Sequence, residues 1–324
     1  KQYLDMQHFS SSNNTSEEVI ISPGTVFKLL KREVRHNKYY IILRVIEKNQ
    51  GSPLKRKIQQ ALEASQKFMT LDRINDDCID EIFRLLRGNI TCKKLYIQQS
   101  NLTDSGMKRI GEVFENSSVE SLYFVETPIN DKSAKILSGY IPKSKIRRIA
   151  FYQCALNQDG LQNFIRTIPI TQLEDLNISR NTMTFEEIKT LSLVLTKSSI
   201  KYLTLESCQI GLEDLKELSR SFSKTRVEVL CLIGNPLGTK GAQIIAEMIS
   251  NSRLKKLILS DNGIKDEGVQ AIAQALPGSW LDFLAFDDLS IQAPLIISKV
   301  LRKTSLNGLR LGLPSFGNEG LEEL

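Results

Sequence analysis

Hydrophobic and polar positions recur along most of this chain in one fixed figure. In "LKKLILSDNGIKDEGVQAIAQAL", Leu254 to Leu276, apolar side chains at Leu254, Leu257 and Leu259 set the rhythm L-x-x-L-x-L. Asn262 and Ile264 follow, then a turn, then apolar positions at Val269, Ile272, Ala275 and Leu276. Alternate side chains of a short strand share a face, so Leu257 and Leu259 point inward while Lys256, Ile258 and Ser260 point outward. The later i, i+3, i+6, i+7 spacing is one helical stripe. The figure predicts strand, Asn turn and helix.

The same figure returns every 27 residues. Stepping back from Leu254, units start at Val227, Ile200, Leu173, Ile146, Val119 and Cys92, and stepping forward, at Leu281. A further unit starts at Leu306, 25 residues on, with the shortening expected between Asp287 and Pro294. A degenerate unit is expected near residue 65. It has Phe68 and Thr70 at strand positions and Ile79, Ile82, Phe83 and Leu86 on its helix. The slot of Asn262 holds Asn181 and Asn235, with Cys154 and Cys208 as small buried alternatives. One such unit cannot bury its apolar edge alone, but stacked units can, and a solenoid results.

L-x-x-L-x-L-x-x-N/C-x-L followed by a helix resembles a leucine-rich repeat. The helix, a unit length of about 28 residues and turns such as "NGIKDEG", "NLTDSG" and "FGNEG" resemble the ribonuclease-inhibitor-like class. The resemblance covers about residues 65–324. It implies an α/β solenoid, a horseshoe with a concave parallel sheet and convex helices. Thr127, Leu289 and Pro314 depart from the Asn/Cys slot and put local ladder bonding there in doubt.

Residues 1–64 do not follow the period. Ser22-Pro23 and Ser52-Pro53 each read as an N-cap followed by Pro at the first helical position. Helices near 23–36 and 53–64 are therefore expected, with "KYYIILRVIE", 38–47, as strand or further helix and "SSSNNTSEE", 10–18, as a polar loop. This small, mostly helical region is expected to cap the solenoid. "NEGLEEL" ends inside what the period makes the last helix, so further chain is expected beyond it.

Charge and chemistry narrow the function. The net charge is +6, and residues 1–64 carry most of it, with 11 Lys/Arg against 6 Asp/Glu; the remainder is near balance. The basic segment is either a solvated surface or a contact for nucleic acid or anionic lipid. Only His8 and His36 occur, so no Ser-His-Asp or Cys-His arrangement exists in the repeats. Five scattered cysteines without C-x-x-C argue against a disulfide framework or zinc site and favour a reducing compartment. "GNPLGTKG", 234–241, misses the spacing of a phosphate-binding loop. Asp175, Glu206 and Asp287 lie on predicted strands, without a pair set in a desolvated pocket. The chain is thus expected to be no enzyme, to need no cofactor or metal, to take no small-molecule substrate and to be monomeric. No leader pattern follows Lys1, and the longest apolar run, Tyr39 to Ile46, is short and contains Arg44. A cytoplasmic location is expected, the host cytosol if the protein is a secreted bacterial effector.

The outward strand positions form three columns. The first is Lys94, Ser121, Arg148, Asp175, Tyr202, Val229, Lys256, Phe283; the second is Tyr96, Tyr123, Ala150, Asn177, Thr204, Cys231, Ile258, Ala285. The third is Gln98, Val125, Tyr152, Ser179, Glu206, Ile233, Ser260, Asp287. Tyr96, Tyr123 and Tyr152 with Lys94 and Arg148 make an aromatic-basic cluster of the types enriched at binding hot spots. Val229, Cys231, Ile233, Ile258, Phe283 and Ala285 make an exposed apolar patch, which ordinarily means a partner; β-propensity or a covering C-terminal segment are the competing readings. The function expected is a protein-binding scaffold using these columns, Asp175 and Tyr202 included. Proteins of the resembled class include inhibitors, GTPase-activating proteins, innate sensors and secreted effectors of intracellular bacteria. The GTPase-activating alternative would use Arg180 or Asn181 in a partner's active site. The other alternative is binding of anionic lipid or nucleic acid by residues 1–64.

Overall fold

A computed structural model of the chain describes the backbone of residues 17–22, 25–35 and 38–47, and residues 68–77, 79, 92–156, 158–286 and 292–312. Three strands open it: β1 (Glu17–Ser22), β2 (Thr25–Arg35) and β3 (Lys38–Glu47). β1 pairs antiparallel with β2, and β2 with β3. The helix expected near 23–36 is a strand over residues 25–35. Pro-Gly suits a chain reversal as well as a helix start, and Ser22 pairs with Thr25. Of the two readings of 38–47, strand is the one found. β3 pairs parallel with β4 (Phe68–Asp72), Ile42 opposite Thr70. An uncovered edge of a parallel sheet is an open template for pairing, and this pairing outweighs the local helix signal. The helix expected at 53–64 lies outside the described residues.

From β4 onward every neighbour is parallel. The strands are β5 (Lys94–Gln98), β6 (Ser121–Val125), β7 (Arg148–Tyr152), β8 (Asp175–Asn177) and β9 (Tyr202–Thr204). β10 (Val229–Cys231), β11 (Lys256–Ile258), β12 (Phe283–Phe286) and β13 (Gly308–Leu311) complete the sheet. Its order is the sequence order throughout. The register is the one the period demands: Lys94 lies opposite Ser121, Ser121 opposite Arg148, and so on to Phe283 opposite Gly308. The strand of the degenerate unit near 65 and the shortened last interval are both present, and Ile79 is buried; Ile82, Phe83 and Leu86 lie outside the described residues.

Helices return the chain between strands: α1 (Asp104–Asn116), α2 (Asp131–Tyr140), α3 (Gln158–Thr167), α4 (Phe185–Leu195), α5 (Leu212–Phe222), α6 (Gly238–Ser250), α7 (Asp266–Ala275) and α8 (Gln292–Leu301). Each apolar stripe faces the sheet. Between the layers lies one continuous core that includes Leu257, Leu259, Val269 and Ile272 with their counterparts in the neighbouring described units. Phe124 and Phe151 stack at 5.7 Å, and Phe164 meets Phe151 edge-on at 5.0 Å. The fold is a leucine-rich repeat solenoid.

Two polar ladders hold the units together. Asn181 Oδ1 accepts from the backbone N–H of Cys154 (3.0 Å) and of Leu156 (3.3 Å) in the preceding unit. Its Nδ2 donates to the carbonyls of Phe151, Ile178 and Ser179 at 2.9, 3.0 and 3.0 Å. Asn235 repeats this on Cys208, Ile210, Leu205, Leu232 and Ile233. The Cys154 thiol donates to the Phe124 carbonyl at 3.4 Å and the Cys208 thiol to that of Ile178 at 3.3 Å. Thr127 keeps the ladder despite its departure from pattern. Its hydroxyl accepts from Ser100 N–H at 3.2 Å and donates to the carbonyls of Ile97 and Val125. Leu289 and Pro314 lie outside the described residues.

The second ladder went unread in the sequence. Two residues before each strand-leading hydrophobe stands a Ser or Thr, from Ser117 to Thr304. The Ser144 hydroxyl, for example, donates to the Ile141 carbonyl at 2.7 Å and accepts from Ile146 N–H at 3.2 Å. Thr171, Ser198, Thr225, Ser279 and Thr304 do the same in their units. Small hydroxyl residues at helix ends read as generic loop composition, which hid a period of 27.

Candidate functional site

The sheet face opposite the helices gathers the three columns, except for Asp287, which lies outside the described residues. Tyr96 on β5 and Tyr123 on β6 are cross-strand partners, and their rings stack at 4.3 Å with 8° between planes. A parallel in-register pair puts like side chains a strand spacing apart, close to aromatic stacking distance. Burial raises the Tyr123 hydroxyl above its ordinary pKa, so that hydroxyl stays neutral at pH 7. Tyr152, at the end of β7, lies under the Arg180 guanidinium at 5.1 Å. Arg180 in turn reaches Glu206 at 3.5 Å. Three successive units thus brace one tyrosine.

Arg148, Asp175 and Tyr202 continue the first column on adjacent strands. Burial lifts the Asp175 carboxyl to about 6, against the pull of Arg148. Tyr202 is 41% exposed beside it. The N-terminal two-thirds of the face therefore presents phenols, a guanidinium and a carboxylate held by their neighbours.

The C-terminal patch differs from the sequence expectation. Cys231 and Ile258 are each only 6% exposed, and Ala285 is buried as well. With Ile233 and Phe283 packed against them they form a small second core on the sheet face. This corrects the reading of Ile258, Cys231 and Ala285 as an open apolar patch. The second column runs between two others, and each of its side chains is crowded by neighbours a strand spacing away. The Phe283 ring also lies over Gly308, where an added Cβ would sit 2.7 Å from the ring. Lys256 Nζ stands 6.0 Å from the same ring. Val229, Ile233 and Phe283 remain part-exposed.

Asn181, a candidate for assisting a partner's catalysis, is buried and fully bonded to backbone. That corrects its candidacy, because its amide has no capacity left to offer. Arg180 keeps partial access and sits at φ +57°, on the turn after β8. The same turn position has positive φ in each unit from Arg73 to Asp261. "GNPLGTKG" forms an ordinary repeat turn in which Gly238 N–H donates to the Asn262 carbonyl at 2.9 Å. Among the described residues no group of three or more His, Cys, Asp or Glu could hold a metal ion.

One further column was missed. Lys93, Glu120, Arg147, Glu174, Lys201, Glu228, Lys255 and Asp282 alternate in sign just before each strand. Lys93 pairs with Glu120 at 2.8 Å, Glu174 with Arg147 and Lys201 at 3.0 and 3.4 Å, and Lys255 with Glu228 at 3.0 Å. Reading charges along the chain hides what reading across the period reveals.

A family comparison agrees with the repeat. Residues 250–273 match the family model described as "Leucine Rich repeat". A search of curated proteins found no match. Among solved structures, the chain is similar to one titled "Crystal structure of TLR13-ssRNA13 complex", at a TM-score of 0.43 and 14% identity. The similarity covers 81% of this chain and 36% of that one, so this chain spans about a third of that relative's length. Leucine-rich repeat domains generally mediate protein–protein interaction.

Proposed function

We propose that this chain is a non-catalytic scaffold that binds a partner protein on its concave sheet face. The observation that carries the reading is the pre-set aromatic and charged strip formed by Tyr96, Tyr123, Tyr152, Arg148, Asp175 and Tyr202. Stacked or cation-capped rings lose little freedom on binding, which is how aromatic anchors contribute affinity cheaply in entropy. Lys94 and Arg148 tune the partner's charge, and Val229, Ile233 and Phe283 supply a part-exposed apolar end. Ile258 contributes beneath them as support. The partner meets the chain in the cytosol, the host's if the protein is a secreted bacterial effector. β3 pairs along the first repeat strand, and the basic residues 1–64 offer a contact for an anionic surface. The GTPase-activating alternative loses Asn181 and rests on Arg180 alone; stimulated GTP hydrolysis abolished by Arg180→Ala would favour it.

The test is capture of proteins from a eukaryotic cytosol by the chain and by its Tyr96→Ala/Tyr123→Ala/Tyr152→Ala variant. Hot-spot truncations cost about 2 kcal/mol each, so the variant should lose its partner while circular dichroism stays unchanged. Full retention by the triple variant moves binding off the tyrosine strip.

A further inference from the structure

The residues leading into each strand build a second surface, separate from the concave face. In the units from 146 to 306, the Ser or Thr of the second ladder is buried (Ser144, Ser198, Thr225, Ser252, Ser279) or half-buried (Thr171, Thr304), and its chain neighbours lie toward solvent. Half of those fourteen flanking positions are basic: Lys143, Lys145, Lys197, Lys224, Arg226, Arg253 and, in the last unit, Lys303. All are exposed, and no Asp or Glu occupies either position in any of these units. The adjoining column alternates in sign and largely cancels itself, so the excess stays positive.

Cations suit helix C-termini, and Lys143 also pairs with Glu115 at 3.4 Å. Those effects alone account for a basic row. They do not account for Ile170 and Trp280, which occupy the same two positions and are 70% and 67% exposed. A solitary large apolar side chain left in water forfeits its burial. Here two of them punctuate a cationic row, four repeats apart, or roughly 20 Å at the strand spacing. Among the described residues no helix is long and apolar enough to cross a membrane.

We propose that this edge docks on an anionic phospholipid bilayer. Trp280 and Ile170 enter the headgroup region, and the Lys/Arg row faces the lipid phosphates. Tryptophan favours that interface because its ring is apolar and its N–H is not. Basic residues add attraction to anionic lipid over a Debye length. A single-stranded nucleic acid fits less well, because it needs successive aromatic platforms and this row offers one ring.

Trp280 is the only tryptophan in the chain, so its emission reports on this edge alone. The full chain is titrated with vesicles of phosphatidylcholine plus phosphatidylserine, and with phosphatidylcholine alone. The expected result is a blue shift with the mixed vesicles only, quenched by bromine-labelled lipid and reversed by salt. Lys224→Gln/Arg226→Gln/Arg253→Gln should weaken binding roughly fivefold per charge removed, with unchanged circular dichroism. An unshifted emission with mixed vesicles overturns the proposal. So does vesicle binding that survives in the triple variant with Trp280 unmoved, which would assign it to the basic residues 1–64. A Trp280 response to polyuridylate but not to vesicles would replace the bilayer with nucleic acid.

Discussion

Asn181 ties five backbone groups from two units to one side chain. Replacing it with Ala leaves buried N–H and C=O groups with no water to turn to. Asn181→Ala should lower stability by about 3 kcal/mol in urea unfolding. Asp175 acts in the opposite direction. Its carboxyl titrates at about 6 in the folded chain against 3.8 in the open one. Folding therefore takes up a proton between those values, and stability falls as pH rises through that window and levels off above it. Asp175→Asn should be more stable than the parent near neutral pH, and the gap should close on acidification to about pH 4. Denaturant midpoints across the range check this; a gap independent of pH would show that desolvation of the carboxylate is not its origin.

Between elements, successive helices lock at their first turns. Asp104 of α1 accepts from the Ser133 hydroxyl of α2 at 3.0 Å. Asp131 of α2 accepts from Gly160 N–H of α3 at 2.5 Å. The glycine is required by space. A Cβ on Gly160 would stand 2.8 Å from the Asp131 Cα, and one on Gly268 2.8 Å from the Ala242 Cβ. In an open helix, Gly→Ala gains about 1 kcal/mol. Here Gly160→Ala should instead cost roughly 1–3 kcal/mol, read as a lower thermal midpoint. A rise in that midpoint would mean that the helices separate freely at this turn.

At the scale of the whole molecule, the repeats share one core, and their thiols report on it. Burial pushes the Cys92, Cys154 and Cys208 thiols up to about 12 and that of Cys231 to about 11. In a Cys78→Ser chain, these four should resist a thiol reagent at neutral pH until the solenoid opens. Labelling in rising denaturant should then track the loss of helical circular dichroism. Rapid labelling of Cys231 alone would restore the open concave thiol that the strand alternation suggested.

The sequence by itself determined the period, the strand faces and the register of the solenoid. A side-chain period of two and a unit length of 27 leave one stacking that buries every Leu257-like position, so the columns from Lys94 to Phe283 are legible in the sequence alone. The tyrosine strip was legible for the same reason. Only the tertiary structure decided which outward positions are open. Exposure depends on what stands one strand away, and so Cys231, Ile258 and Ala285 closed into a core while Tyr202 did not. It also decided that residues 25–35 pair as a strand. A local helix signal worth a fraction of a kcal/mol per residue yields where a sheet edge offers a whole row of hydrogen bonds.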